Sequence, residues 1–218
     1  MDLQTTNNLL KYKHDELNSS SPEYKFIKNF FDTTKNVTSS HQAPTDFKVY
    51  KITENSPTKV LENKHKNLML CHGTSVKGVN GILKDGFKNS EKGLFGRGVY
   101  MTDCSCEACT WSGIRMKGLN IFLVFVNEVL VEEKLHTLDH DNPNNRLSKD
   151  FRYSTPECLC EKHVLKNSQQ ITEAEYKEDA LGRRYRNVPH NSSTHLDEYV
   201  ADESVTVPRY LIQFRWNY

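Results

Sequence analysis

The chain of 218 residues is 36% hydrophobic and 26% charged, with a formal net charge of +1 and a mean hydropathy of −0.70. That is enough for one large domain or two small ones, and one globular domain with polar loops or tails is expected. A protein that gripped nucleic acid mainly through phosphates would be clearly basic, and this one is not.

No run of about 18 apolar residues occurs, so no transmembrane helix is expected. Met1 to Thr6 lacks the basic and apolar segments of a secretory signal, which points to an intracellular protein with reduced thiols.

Residues 1–20 are polar and unpatterned and read as a disordered tail. Ser21-Pro22-Glu23 then offers a capping hydroxyl, a proline for the first helical position and an acid for the first turn. Tyr24, Ile27, Phe30 and Phe31 follow at helical spacing. After a polar connection over 34–45, Asp46 to Ile52 alternates as a strand, with Phe47 and Val49 on one face. Leu68-Met69-Leu70-Cys71 is wholly apolar and short, as a strand buried on both faces would be. Thr74 or Ser75 can cap a helix whose apolar face is Val76, Val79, Ile82 and Leu83, ended by Gly86. Gly78 and Gly81 inside it each cost about 1 kcal/mol relative to Ala, which suggests a helix backbone held close against another element. Ile121 to Leu130 is the strongest strand signal, and 136–197 is long, polar and without an assignable pattern. From Tyr199 to Trp216 strand character returns, and Pro208 marks a strand start or an edge. No internal repeat occurs, and the pattern is that of an α+β fold with mostly antiparallel sheet.

Cys104, Cys106 and Cys109 form C-x-C-x-x-C, and Cys158 with Cys160 forms a second C-x-C. Four of these can build a zinc site, but C-x-C is a looser signal than paired C-x-x-C. Reduced cysteines in loops, with Cys71 in a buried strand, are expected, and no metal.

Three segments carry chemistry. The first is His72-Gly73-Thr74, where a buried strand ends. The second runs from Gly93 to Asp103, where Gly93, Gly96 and Gly98 make a loop able to approach a ligand closely and Tyr100 stands just beyond. The third is Asp197-Glu198-Tyr199-Val200, an acidic pair entering an apolar strand. Singly, each has an ordinary structural explanation.

Together they resemble the three signature blocks of the poly(ADP-ribose) polymerase (PARP) family, the diphtheria-toxin-like ADP-ribosyltransferases with a His-Tyr-Glu triad. His72-Gly73-Thr74 resembles the H-G-[ST] block, and Phe95-Gly96-Arg97-Gly98-Val99-Tyr100 the F-G-[KR]-G-[IV]-Y block. Asp197 to Val200, with Val207 to Ile212 following, resembles the block that bears the catalytic glutamate. The likeness covers roughly 21–218, strongly at 68–111 and 197–214 and weakly at 136–196. It implies a split pair of antiparallel sheets flanked by helices, with NAD+ in the cleft between them as substrate. It also implies ADP-ribose transfer to protein acceptors with release of nicotinamide.

Roles follow from the same resemblance. His72 should bond a hydroxyl of the adenine-side ribose, and the Gly73 backbone should pair with the nicotinamide carboxamide. Tyr100 and Trp111 should sandwich the nicotinamide ring, a stacked pair being worth about 0.5–1.5 kcal/mol beyond area burial. Thr74 and Gly98 belong to the binding blocks, and Lys88 stands where many members carry an arginine facing the adenosine end. Glu198 should stabilise the oxocarbenium-like charge that develops on the ribose.

Two positions depart from the family pattern. The serine that holds the carboxamide falls at Ala108, with Ser105 and Thr110 the nearby candidates to replace it. The lysine beside the catalytic glutamate of polymer-forming members falls at Glu107, which argues for transfer of single units. The helical regulatory domain, zinc fingers, ankyrin repeats and macrodomains of other members are not recognisable, so a bare catalytic module is expected. Residues 136–196 read equally as a surface loop insertion and as an acceptor-recognition loop. Competing functions are poly-ADP-ribosylation, since the Glu198 triad is the one polymerising members carry, a weakly active or inactive NAD-binding module, NAD hydrolysis, and transfer to nucleic acid ends. Near-neutral charge disfavours the last, and the basic run Arg183-Arg184-Tyr185-Arg186 reads as a solvated face.

Overall fold

Helix α1 (Pro22–Thr33) begins where the capping signal lies, with the Ser21 hydroxyl accepting the Tyr24 amide at 3.1 Å. Its buried stripe, Ile27, Phe30 and Phe31, docks on a sheet. The computed structural model describes residues 14–34, 43–53, 67–91, 97–115, 120–129, 176–179, 183–186 and 198–216.

Among these residues nine strands form the sheet: β1 (His14–Glu16), β2 (Thr45–Ile52), β3 (Leu68–Gly73), β4 (Val99–Thr102), β5 (Ile121–Val129), β6 (Tyr176–Glu178), β7 (Arg184–Arg186), β8 (Glu198–Ala201) and β9 (Thr206–Arg215). The main path runs β1-β2-β9-β5-β3-β4-β8, antiparallel throughout, and β7 joins β3 in parallel at Leu68↔Arg184. β3 and β4 share one register pair, Cys71↔Thr102. The sheet therefore splits there into a body, β1 to β3 along that path, and a two-stranded ribbon, β4-β8. With three helices packed against it, this is the expected α+β split-sheet fold.

Side chains alternate across the two faces. Leu68, Leu70, Leu123, Phe125 and Leu211 face helix α2 (Val76–Asp85) through Val79, Ile82 and Leu83. Met69, Cys71, Phe122, Val124 and Ile212 face α1 and helix α3 (Ser105–Arg115). Every residue of β5 is buried, because it is covered on both sides. Phe122 stacks on Phe214 at 5.3 Å between ring centroids.

Several local expectations change. Residues 14–16 belong to the sheet rather than to a tail: β1 pairs with β2, and just beyond it the Leu17 amide bonds the Val49 carbonyl at 2.8 Å. An edge strand left unpaired in β2 would expose its backbone groups, and β1 satisfies them. The region of Cys104 to Trp111 is not loop. Cys106 and Cys109 lie in α3, and they and Cys104 are buried and in no disulfide among the described residues. Cys158 and Cys160 lie outside the described residues. Neither glycine inside α2 lies against another element. A Cβ on Gly78 would meet Thr74 Oγ1 at 2.1 Å, and one on Gly81 would meet nothing within 4 Å. Pro208 sits inside β9, at the bulge between Val126 and Asn127, beyond the reach of β2, whose last partner is Tyr210. A short 3-10 helix, Glu203–Val205, divides β8 from β9.

Within 136–197, β6 and β7 form a hairpin rather than loose loop, and Arg183 is buried at 5% exposure rather than solvated. Its Nε bonds Asp179 Oδ2 at 2.6 Å, and its amide bonds Asp179 Oδ1 at 2.9 Å. Burial works against the Arg183 charge, and Asp179 more than offsets it, holding the guanidinium above its ordinary pKa. Tyr185 packs edge-on to Phe26 and Phe30 of α1. Tyr210 donates to Glu23 at 2.7 Å, and burial together with that bond pushes the phenol up to about 12. Asp179→Ala leaves the guanidinium short of its counterion and should destabilise the chain by about 3–5 kcal/mol. A denaturant midpoint unchanged from wild type would contradict this.

Candidate active site

The site grows from the end of β3. The Thr74 amide bonds the Leu123 carbonyl at 3.1 Å, continuing the register in which Gly73 lies opposite Val124. Hydrogen-bonded and non-bonded pairs alternate along an antiparallel ladder. Gly73, one residue before Thr74, therefore turns its N–H and C=O away from β5. On that outer side of β3, β7 takes Leu68 and β4 takes Cys71. Carried one step further, the β3–β4 register would set Gly73 opposite Tyr100. The ladder stops instead, and the Tyr100 carbonyl bonds His72 Nδ1 at 2.7 Å. The imidazole thus stands at the point where body and ribbon part. A carbonyl only accepts, so Nδ1 carries the proton and Nε2 of the neutral ring is an acceptor. Phe87 meets the His72 ring edge-on at 5.2 Å and fixes its plane.

Helix α3 lies directly on Gly73. A Cβ there would stand 1.7 Å from the Ala108 carbonyl oxygen and 2.8 Å from the Ser112 amide nitrogen. Trp111, three residues past Ala108, shares its helix face and is 42% exposed, the large hydrophobic side chain left open among the described residues. Ser112 pins the arrangement: buried, it accepts the Leu123 amide at 2.8 Å and donates to the Thr74 carbonyl at 3.1 Å. Sequence reasoning missed it, since nothing local separates it from a solvated helix serine. Ser105 and Thr110, the candidates near Ala108, have hydroxyls bonded to the main chain. Ser105 Oγ donates to the Phe31 carbonyl at 2.8 Å, and Thr110 Oγ1 to the Cys106 carbonyl at 3.1 Å.

The ribbon brings the other half. Tyr100 is half-buried in β4, opposite Val200. The Glu198 backbone opens β8 opposite Thr102, which also pairs with Cys71. Cys71, Thr102 and Glu198 thus lie in one row across three strands, about 10 Å from end to end.

Three further expected site residues lie around this split. Gly98 exchanges both backbone bonds with Ser90, at 2.8 and 3.1 Å, and its missing side chain makes room for Val200. Thr74 is buried, its backbone bonded to Leu123 and Ser112 and its hydroxyl against Gly78. Lys88 is exposed just beyond α2. Gly93 and Gly96 lie outside the described residues. Among the described residues no cluster of His, Cys, Asp and Glu is arranged to hold a metal ion.

His72, Gly73, Tyr100, Trp111 and the Glu198 backbone thus surround the split between β3 and β4. The family model of the poly(ADP-ribose) polymerase catalytic domain matches residues 21–216. Over 142 residues the chain is 26% identical to protein mono-ADP-ribosyltransferase PARP3 of Homo sapiens, a match covering 62% of this chain and 26% of that relative. With the family match running from the start of α1 to the end of β9 and the three motif blocks meeting at one split in the sheet, the chain belongs to the family of poly(ADP-ribose) polymerase catalytic domains.

Proposed function

We propose that the chain transfers ADP-ribose from NAD+ to protein acceptors, one unit at a time, and releases nicotinamide. The observation that carries this reading is the outward-facing N–H and C=O of Gly73 beside the exposed Trp111. A carboxamide offers one acceptor and one donor to match that pair. Tyr100 and Trp111 then bound the nicotinamide ring, His72 Nε2 accepts a ribose hydroxyl, and Lys88 serves the adenosine end.

In the reaction the bond from ribose C1′ to the nicotinamide nitrogen breaks, and its electron pair leaves with nicotinamide. The acceptor's nucleophilic atom bonds C1′ and loses its proton. The Glu198 carboxylate stabilises the positive charge on the ribose between these events and polarises the acceptor. The relative's name, mono-ADP-ribosyltransferase, agrees with single-unit transfer. So does Glu107, half-buried in the first turn of α3. At an effective dielectric near 20, like charges some 6 Å apart repel by about 3 kcal/mol, and even a third of that after salt and solvent screening, about 1 kcal/mol, disfavours an anionic ADP-ribose chain as acceptor. The net charge of +1 favours protein over nucleic acid acceptors. Reduced thiols at Cys71, Cys104, Cys106 and Cys109 fit an intracellular setting.

Labelled NAD+, supplied alone, with cell extract and with nucleic acid, tests the reading. Label should enter protein as a discrete band, and Glu107→Lys should lengthen the product. A benzamide-type mimic at about 100 times its Kd should add about 2.7 kcal/mol of stability. Ala108 at the serine's place favours a second reading, an NAD-binding module without transfer. Stabilisation by the mimic with no label transferred selects it, and neither effect rejects both.

A further inference from the structure

The β4–β8 ribbon carries Tyr100 and the Glu198 backbone; its strands join the body through one register pair and the His72–Tyr100 bond, while Val99, Met101, Tyr199 and Ala201 pack into the core they share with it. The register pair lies at the Glu198 end, and the Tyr100 bond lies one residue in from Val99. At the opposite end, where Val99 pairs with Ala201, a second attachment holds the ribbon to the segment leaving α2.

Asn89 is its centre. The Asn89 amide donates to Glu203 Oε2 at 2.7 Å, and the Glu203 amide donates back to Asn89 Oδ1 at 2.9 Å. Asn89 Nδ2 donates to Asp202 Oδ2 at 2.9 Å. Asp202 is itself fixed, its Oδ1 accepting the Ser204 amide and hydroxyl at 2.9 and 2.6 Å as the cap of the 3-10 helix. Burial acts to raise the Asp202 pKa, but these bonds and the charge of Arg97 outweigh it, so the carboxylate stays ionised. Arg97 Nη1 lies 3.9 Å from Asp202 Oδ2, and its Nε bonds Glu91 at 3.1 Å. The Ser90–Gly98 bridge closes the same corner. Asn89 thus uses its main-chain amide and both ends of its carboxamide on one turn.

From this we infer that Asn89 is a positioning residue for the reaction, clamping the far end of the ribbon so that Tyr100 and Glu198 keep their place opposite His72 and Gly73. Asn89 touches neither substrate nor the reacting atoms in this account. The inference rests on the transferase reading, but the clamp is also readable without turnover.

The test compares Asn89→Ala, Glu203→Ala and Glu203→Gln in the full chain. For Asn89→Ala and Glu203→Ala we expect kcat to fall at least about tenfold while benzamide-mimic affinity changes less than about threefold. Glu203→Gln keeps an acceptor for the Asn89 amide and should stay within about twofold of wild type. Hydrogen exchange of peptides covering Val99–Thr102 and Glu198–Ala201 should quicken in the two alanine variants alone. Unchanged kcat with a lowered Tm would reduce the clamp to scaffold, and equal losses of kcat and mimic affinity would mean general collapse of the site. Either overturns the inference. A wild-type chain without NAD turnover would sink the transferase reading. Exchange would then still support the clamp if it quickens in the variants, or overturn it if it does not.

Discussion

Glu198→Gln is expected to lower the rate of ADP-ribose transfer by about 10²–10³-fold while NAD+ affinity stays within a few-fold. The amide keeps the size and the hydrogen-bonding reach of the carboxylate and loses only its charge. Charge matters most where it appears late, on the ribose as the bond to nicotinamide breaks. The ground state carries little of it, so binding should hardly register the change. The split between kcat and affinity is therefore the signature. A variant with wild-type turnover, or one that loses binding and turnover equally, would remove Glu198 from the role proposed for it.

Gly73→Ala should have the largest effect on the fold of any single-carbon change at the site. The added Cβ would lie 1.7 Å from the Ala108 carbonyl oxygen, a main-chain atom that no rotamer change can move aside. Helix α3 would have to lift from β3, straining the Ser112 bridge to Thr74 and Leu123. Overpacking of this kind costs about 3 kcal/mol or more. Mimic binding should be lost with it, since Trp111 rides on the same helix. Gly81→Ala is the matched contrast. Its Cβ would meet nothing within 4 Å, inside α2, so the gain in helix propensity should stabilise the chain by about 1 kcal/mol. Denaturant midpoints of the two variants moving in opposite directions would support the packing assigned to Gly73. A tolerated Gly73→Ala would show that α3 does not sit on this residue.

These two glycines show where local pattern and tertiary packing part. In the sequence Gly78 and Gly81 look like the tight contacts, because glycine in a helix is costly and invites a reason. Gly78 is tight only against Thr74, just before its own helix, and the tight contact between elements lies at Gly73, where strand meets helix. Gly98 also makes a close approach, to Val200 of β8.

What the sequence determined by itself is the set of elements whose signal is local. Helix α1 announces its cap at Ser21 and its stripe at Ile27, Phe30 and Phe31. Strands β3 and β5 show their burial as unbroken apolar runs, and α2 ends at Gly86, whose φ of 77° suits glycine. His72, Tyr100 and Glu198 were legible as motif blocks, though not as neighbours. Only the tertiary structure decided the rest. Helix α3 forms from a cysteine-rich stretch without a clear helical period, because Ala108 and Cys109 find an apolar face to cover. The β6–β7 hairpin is held by Arg183 and Asp179 and by Tyr185 against α1, in a segment with no core pattern of its own. Asn89 bonds a residue 114 positions away, and Tyr210 one 187 positions away. Such bonds satisfy buried polar groups that exist only once the chain has closed, so no window of sequence contains both partners.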